Sequence, residues 1–279
     1  PFYESVYCLM NITKQTWNIV RNVRKSVPVK DWENTLVPHG IHEEVFYPIQ
    51  EDSEEHKKFI EFKKRTIRNK DTNFIILWNN RNIRRKLPGD VILSYNHMLE
   101  QLTEEQRNNS LLIMKTAPVD NNGTDLMAVA KHNLKYGDCM FIGDNLPQEE
   151  LNYLYNMADV TINMASNEGF GLGTAESLMA GTPIVVNVTG GLQDQCGFRK
   201  EDGSLLTKED YTKEWGSNHD GKYTEHGEWV KPIWPVSLSL QGSPQTPCIF
   251  DDRPHWRDAG EKIYEWYKTS DEDRQKAGQ

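Results

Sequence analysis

The residues best able to do chemistry lie in one run, residues 167–191, which reads NEGFGLGTAESLMAGTPIVVNVTGG. Gly169, Gly171 and Gly173 stand at alternate positions between the end of an apolar strand pattern and the start of a helix. Lacking Cβ atoms, such a loop lets backbone N–H groups approach a ligand closely. A helix that begins there turns its positive end to the same place, which favours an anion, and phosphate is the usual one. Glu168 and Glu176 flank the loop eight positions apart. Carboxylates repel a phosphate, so these two fit better as acceptors of hydrogen bonds from sugar hydroxyls. A strand–turn–helix with solvated glutamates is the plain alternative, because short glycine motifs arise by chance. A second stretch is strongly basic: Arg81, Arg84, Arg85 and Lys86 fall within six residues after another strand pattern. Cations at a strand end can clamp a diphosphate, Arg as a fork and Lys as a point charge, although a solvated surface turn has the same composition.

Loops of this kind need a sheet to hold them. From residue 54 the chain alternates: a polar helix over 54–68, a strand over 73–78, a helix over 88–102 and a strand over 111–114. The first long helix has Val91, Tyr95, Met98 and Leu102 on one face. Next come a helix capped near Thr124, a strand over 140–142, and a helix with Pro147 in its first turn. A strand over 160–163, a helix near 174–180 and a strand over 184–188 complete the alternation. Short strands alternating with helices imply right-handed βαβ units, hence an α/β fold with a doubly wound parallel sheet. In such open sheets ligands sit beyond the carboxyl ends of the strands, which is where both loops fall.

The flanks are less regular. A strand over 5–10 leads to a helix with Asn11 as N-cap and Ile12, Trp17, Val20 and Val23 inward, then a strand over 35–37. Residues 46–53 read as a linker, and the first forty-odd residues are too few to bury a core of their own. Residues 197–247 are polar, carry Trp215, Trp229 and Trp234, and read as a long loop with one hairpin. A last amphipathic helix with Trp256, Ala259, Ile263 and Tyr267 precedes an acidic–basic tail.

Composition narrows the function classes. With 37% apolar and 10% aromatic residues, the chain can bury a core, which excludes a wholly disordered protein. A net charge of −9 argues against nucleic-acid binding or a basic membrane-surface module, while leaving room for a local basic pocket. Apolar runs are strand-sized, far short of the roughly 20 residues of a membrane helix. Cys8, Cys139, Cys196 and Cys248 are far apart, as expected for reduced thiols in a cytoplasmic protein. There is no HxxxH spacing and no His–carboxylate cluster, and Asp251-Asp252 reads as an acidic pair in a loop. The expectation is therefore no metal and no cofactor.

In the 167–191 run, Glu-x7-Glu, the GFGL core, the helix end Leu178-Met179-Ala180-Gly181 and Pro183 coincide. Together they resemble the donor-binding motif of retaining, GT-B fold glycosyltransferases of family four, the glycosyl transferases group 1. The resemblance extends over most of the chain. Arg81 and Lys86 match that family's Arg-x4-Lys loop, with Asn80 where the family usually has Gly. Residues 37–41 with Phe46-Tyr47-Pro48 resemble its interdomain connection, and Phe141-Ile142-Gly143 with Leu151 and residues 155–160 resemble the stretch beside the nucleotide base. Gly190-Gly191 stands where the family has a turn near sugar and phosphates, with Gln193 and Asp194 serving either ligand or turn.

The resemblance implies transfer of a sugar from a nucleoside diphosphate to an acceptor hydroxyl with retention, in glycan or glycoconjugate synthesis. It assigns Arg81 and Lys86 to the leaving diphosphate, Glu168 to the sugar and Glu176 to the ribose. Gly169, Phe170, Gly171, Leu172, Ile142 and Gly191 become the remaining donor-binding positions. No metal is implied. Residues 1–47 correspond to the end of an acceptor domain with its connection, and 48–279 to the donor domain; the family pattern continues beyond both ends. The implied partners are a nucleoside diphosphate sugar and a glycan, lipid or other hydroxyl acceptor, with peripheral membrane association through the further domain. The alternatives are a nucleotide-sugar epimerase or phosphorylase on the same fold, or a non-catalytic sugar-nucleotide binding module.

Overall fold

A strand–helix–strand unit opens the chain: β1 (Leu9–Asn11), α1 (Lys14–Val23) and β2 (Asn34–Leu36), with the two strands parallel. The computed structural model describes residues 3–24, 30–143, 145–212, 221–244 and 246–278, so Trp215 lies outside the described residues. Thr13, not Asn11, caps α1, its hydroxyl accepting from the Thr16 N–H. Asn11 is a buried strand residue instead, and its amide is spent on Asn34 Oδ1 at 2.6 Å and the Thr35 carbonyl at 3.1 Å.

The alternation that follows builds the main sheet. After α2 (Glu54–Thr66), capped by Ser53, come β3 (Phe74–Asn79), α3 (Pro88–Glu100), the short α4 (Glu104–Asn108) and β4 (Ser110–Lys115). Then follow α5 (Leu126–Asn133), β5 (Asp138–Ile142), α6 (Gln148–Met157), β6 (Val160–Asn163), α7 (Leu172–Met179), β7 (Ile184–Asn187) and α8 (Leu192–Gln195). The strand after α8 is β8 (Val230–Ile233), and the six lie parallel in the order β5-β4-β3-β6-β7-β8. Alternate β3 side chains enter opposite cores: Phe74, Ile76 and Trp78 on one face, Ile75 and Leu77 on the other. That two-sided burial is why β3 reads as an unbroken apolar run. The doubly wound α/β fold expected from the alternation is the one observed.

Three expectations change at the carboxyl-terminal end. The long loop expected over 197–247 contains β8, which pairs with β7 from Ile184↔Val230 to Asn187↔Ile233. Pro232 hides this strand in the sequence; it is tolerated because β8 is an edge strand, whose outer side needs no donor. The hairpin is β9 (Pro235–Ser243) with β10 (Thr246–Pro254), which leaves Val236, Leu238, Leu240 and Phe250 exposed. Asp251 and Asp252 therefore lie on a strand, not in a loop. Asp252 is fully buried, accepting from the Thr189 hydroxyl at 2.5 Å, while its N–H donates to the Ser166 carbonyl. The amphipathic helix is α9 (Trp256–Lys268), and the tail is a further helix, α10 (Asp271–Gly278). Its buried Arg274 bonds Asp159 Oδ1 at 2.7 Å and pairs with Asp271, at the amino ends of the strands.

Candidate functional site

Every strand of the main sheet delivers its carboxyl end to one edge, because all six are parallel. At the end of β3 the chain passes Asn80 and Arg81 into a single tight turn, Arg84–Lys86. At the end of β6 it enters the glycine loop that starts α7. The two loops are tied by main chain, the Ser166 N–H donating to the Arg85 carbonyl at 2.8 Å.

Across that tie, Lys86 Nζ contacts Glu168 Oε2 directly. Both side chains are nearly enclosed, at 10% and 12% exposure. Burial lowers the Lys86 ammonium below its ordinary value of 10.5, and the Glu168 charge works against that shift. Arg85, which the motif does not use, braces the same carboxylate: its guanidinium donates to the Asn167 carbonyl at 2.7 Å and lies 3.5 Å from Glu168 Oε2. Arg81 is placed differently. It is 64% exposed and donates to Asp120 Oδ2 at 3.0 Å, so a phosphate there would compete with Asp120. The structure thus joins Lys86 to Glu168 and pairs Arg81 with Asp120 instead.

The glycine loop is shaped by close approach. Gly171 has φ +93°, and a Cβ there would lie 2.6 Å from Leu192 Cδ2. Its left-handed backbone turns the chain into α7, whose first N–H groups have no carbonyl partner within the helix. Gly169 is exposed, Leu172 is 48% exposed, and Phe170 is half-buried with its ring edge-on to His39 at 5.1 Å. Gly191 lies beneath the loop rather than on it. Its N–H donates to the Glu168 carbonyl at 2.8 Å, and a Cβ would come within 2.4 Å of the Gly169 carbonyl oxygen. Its role in this structure is support.

Asp194 likewise serves the chain itself. It accepts from the Lys14 N–H at 3.0 Å and the Tyr211 hydroxyl at 3.3 Å, fastening α1 to the loop region. Glu176, on α7, is half-buried and accepts from the Tyr155 hydroxyl at 2.7 Å. Burial raises its carboxyl above the ordinary 4.5, and the Tyr155 bond partly offsets the rise. Ile142 ends the edge strand β5, where its carbonyl accepts from the Thr116 N–H at 2.9 Å. Sequence reasoning missed Arg85 as a brace and Tyr155 as a partner of Glu176. In the sequence Tyr155 opens the 155–160 stretch that resembles the region beside the nucleotide base, but no signal marked its hydroxyl as a partner of Glu176.

Among the described residues no group of three or more His, Cys, Asp or Glu is placed to hold a metal ion. No helix among them is long and apolar enough to cross a membrane. A cavity of about 790 Å³ opens at the opposite, amino-terminal edge, but its Arg274, Asp159 and Asp271 are already paired with one another.

The family model described as "Glycosyl transferases group 1" matches residues 59–213, more than half of the chain, and spans the basic loop, the glycine loop and both glutamates. The chain belongs to the glycosyl transferases group 1. No curated protein sequence matches it. Among solved structures, this group 1 chain is similar to a sucrose-phosphate synthase from Thermosynechococcus elongatus, with 17% identity and TM-score 0.60, over 99% of this chain and 54% of that one. It is similar to a trehalose 6-phosphate synthase from Burkholderia multivorans, with 10% identity and TM-score 0.63, over 99% and 55%. It is also similar to Anabaena HepE, with 10% identity and TM-score 0.59, over 98% and 56%. At these identities the likeness shows the fold, a GT-B glycosyltransferase architecture with its Rossmann-like sheet. The group 1 chain spans about half the length of these structures.

Proposed function

We propose that this chain binds a nucleoside diphosphate sugar at the carboxyl edge of its sheet and serves as the donor half of a retaining glycosyltransferase. The observation that carries the reading is the enclosed Lys86–Glu168 pair beside the start of α7. In the free protein each charge neutralises the other. When a donor enters, its diphosphate takes Lys86, and Glu168 is released to accept hydrogen bonds from the sugar hydroxyls. Negative charge builds on the diphosphate as the glycosidic bond breaks. Lys86, the N–H groups of α7 and Arg81, once it leaves Asp120, stabilise that charge electrostatically. Side-chain cations meet the charge, so the reading needs neither a metal ion nor a protonating acid. Glu176 accepts from the ribose, Ile142 lies along the base, and the acceptor is a glycan, lipid or other hydroxyl compound. Anabaena HepE was solved with UDP and glucose, which makes UDP-glucose the first donor to try.

The test is a thermal-shift screen of UDP-, GDP- and ADP-sugars followed by calorimetry on the best of them. Lys86→Ala is expected to weaken that donor by about 1.5–3 kcal/mol, the range for charge-assisted bonds. Arg81→Ala is expected to weaken it less, because the wild-type guanidinium must first give up Asp120. Equal affinity of parent and Lys86→Ala would contradict the assignment.

A further inference from the structure

Glu176 leans on a single phenol. Tyr155, on α6, donates its hydroxyl hydrogen to Glu176 Oε2 at 2.7 Å. Asn79 Nδ2, at the carboxyl end of β3, donates to the same phenol oxygen at 2.7 Å. A phenol has one hydrogen, and with the amide occupying an oxygen lone pair that hydrogen is committed to the carboxylate. Tyr155 is fully buried, and burial together with the Glu176 charge pushes its phenol far above the ordinary value, so it stays a donor. The ring is fixed as well: it meets Phe46 edge-on at 5.9 Å, and the Tyr155 carbonyl accepts from the Thr182 hydroxyl at 2.7 Å. Among the described residues no other side chain donates to Glu176, so Oε1 is the oxygen left for a ligand.

A glutamate on a helix has three rotatable bonds, and ordering them during binding weakens affinity. Here the ordering is done before any ligand arrives. We propose that Tyr155 is a positioning residue for nucleotide recognition, which by holding Oε2 presents Oε1 to the ribose hydroxyls and sets the preference for ribose over deoxyribose. The proposal rests on the reading of Glu176 as the ribose acceptor. Tyr155 acts through Glu176 and touches no phosphate, so its removal leaves the diphosphate contacts in place. A purely structural role would weaken every ligand in parallel.

The experiment titrates the full chain, Tyr155→Phe and Glu176→Gln with UDP, 2′-deoxy-UDP and inorganic pyrophosphate, using the GDP or ADP pair where that binds more tightly. The parent is expected to prefer the ribonucleotide. Tyr155→Phe is expected to narrow that preference by about threefold to tenfold, the net effect of one ordinary hydrogen bond lost, with pyrophosphate unchanged. A preference unchanged in Tyr155→Phe but narrowed in Glu176→Gln overturns the proposal and leaves the ribose reading standing. A preference unchanged in Glu176→Gln overturns the ribose reading, and the proposal with it. Should Tyr155→Phe fail to fold, Asn79→Ala, which frees the phenol to rotate, replaces it: the same narrowing supports the proposal and an unchanged preference overturns it.

Discussion

Lys86 and Glu176 are each displaced from their ordinary protonation range, and in opposite directions. Burial raises the Glu176 carboxyl, so on acidification it gains a proton at higher pH than a solvated glutamate and ceases to be a pure acceptor. Burial lowers the Lys86 ammonium, so it loses its charge at lower pH than a solvated lysine. Affinity for a ribonucleoside diphosphate should therefore be bell-shaped in pH. The acid limb begins above 4.5 and the alkaline limb below 10.5, the ordinary values of the two groups. Calorimetry across pH checks this; in Glu176→Gln the acid limb should move to lower pH, and an unmoved limb would remove Glu176 from ligand contact. Both residues were legible in the sequence as site members. Their partners were not, because a motif marks ligand contacts and says nothing of what the same side chains hold when no ligand is present. The Lys86–Glu168 contact joins residues 82 positions apart, and Arg81 turns to an aspartate in a different loop.

Elements were legible where burial leaves a one-dimensional trace. Strands β3, β4, β6 and β7 are apolar runs because helices cover both faces, and their order along the chain was read to within a residue or two at most ends. Strand β8 left no such trace, since Pro232 and Lys231 interrupt it and only one neighbour, β7, specifies it. Helix α10 left none either. It is polar and mostly exposed, and its buried Arg274 sends a guanidinium back 115 residues to Asp159. Asp159 is itself half-buried, and its second oxygen accepts from the Ile75 N–H at 2.7 Å. Arg274→Ala strands that carboxylate without its cation, and loss of one partner of a buried pair costs about 3–5 kcal/mol. Chemical denaturation should show a loss of that size, with donor affinity unchanged, because the pair sits at the edge of the sheet opposite the candidate site. A loss under about 1 kcal/mol, the value of a surface pair, would mean that α10 does not anchor the sheet.

At the scale of the whole molecule, the opening strand–helix–strand unit is fastened to the region that carries the candidate chemistry. Lys14 holds Asp194, Asn18 donates to the Thr212 carbonyl at 2.7 Å, and the His39 ring meets Phe170. From the opposite side the hairpin root joins the same loop through Asn167, which donates to the Phe250 carbonyl and to Asp251 Oδ1, each at 2.9 Å. The glycine loop is thereby braced from both flanks while its own crest, Gly169, stays exposed. On the proposed function, this crest and the basic loop receive a diphosphate. A crystal structure of the full chain with a bound nucleoside diphosphate tests it most directly. A phosphate oxygen is expected about 3 Å from Lys86 Nζ, in place of Glu168. A nucleotide seated at the amino-terminal edge beside Arg274, with Lys86 still paired to Glu168, would contradict it.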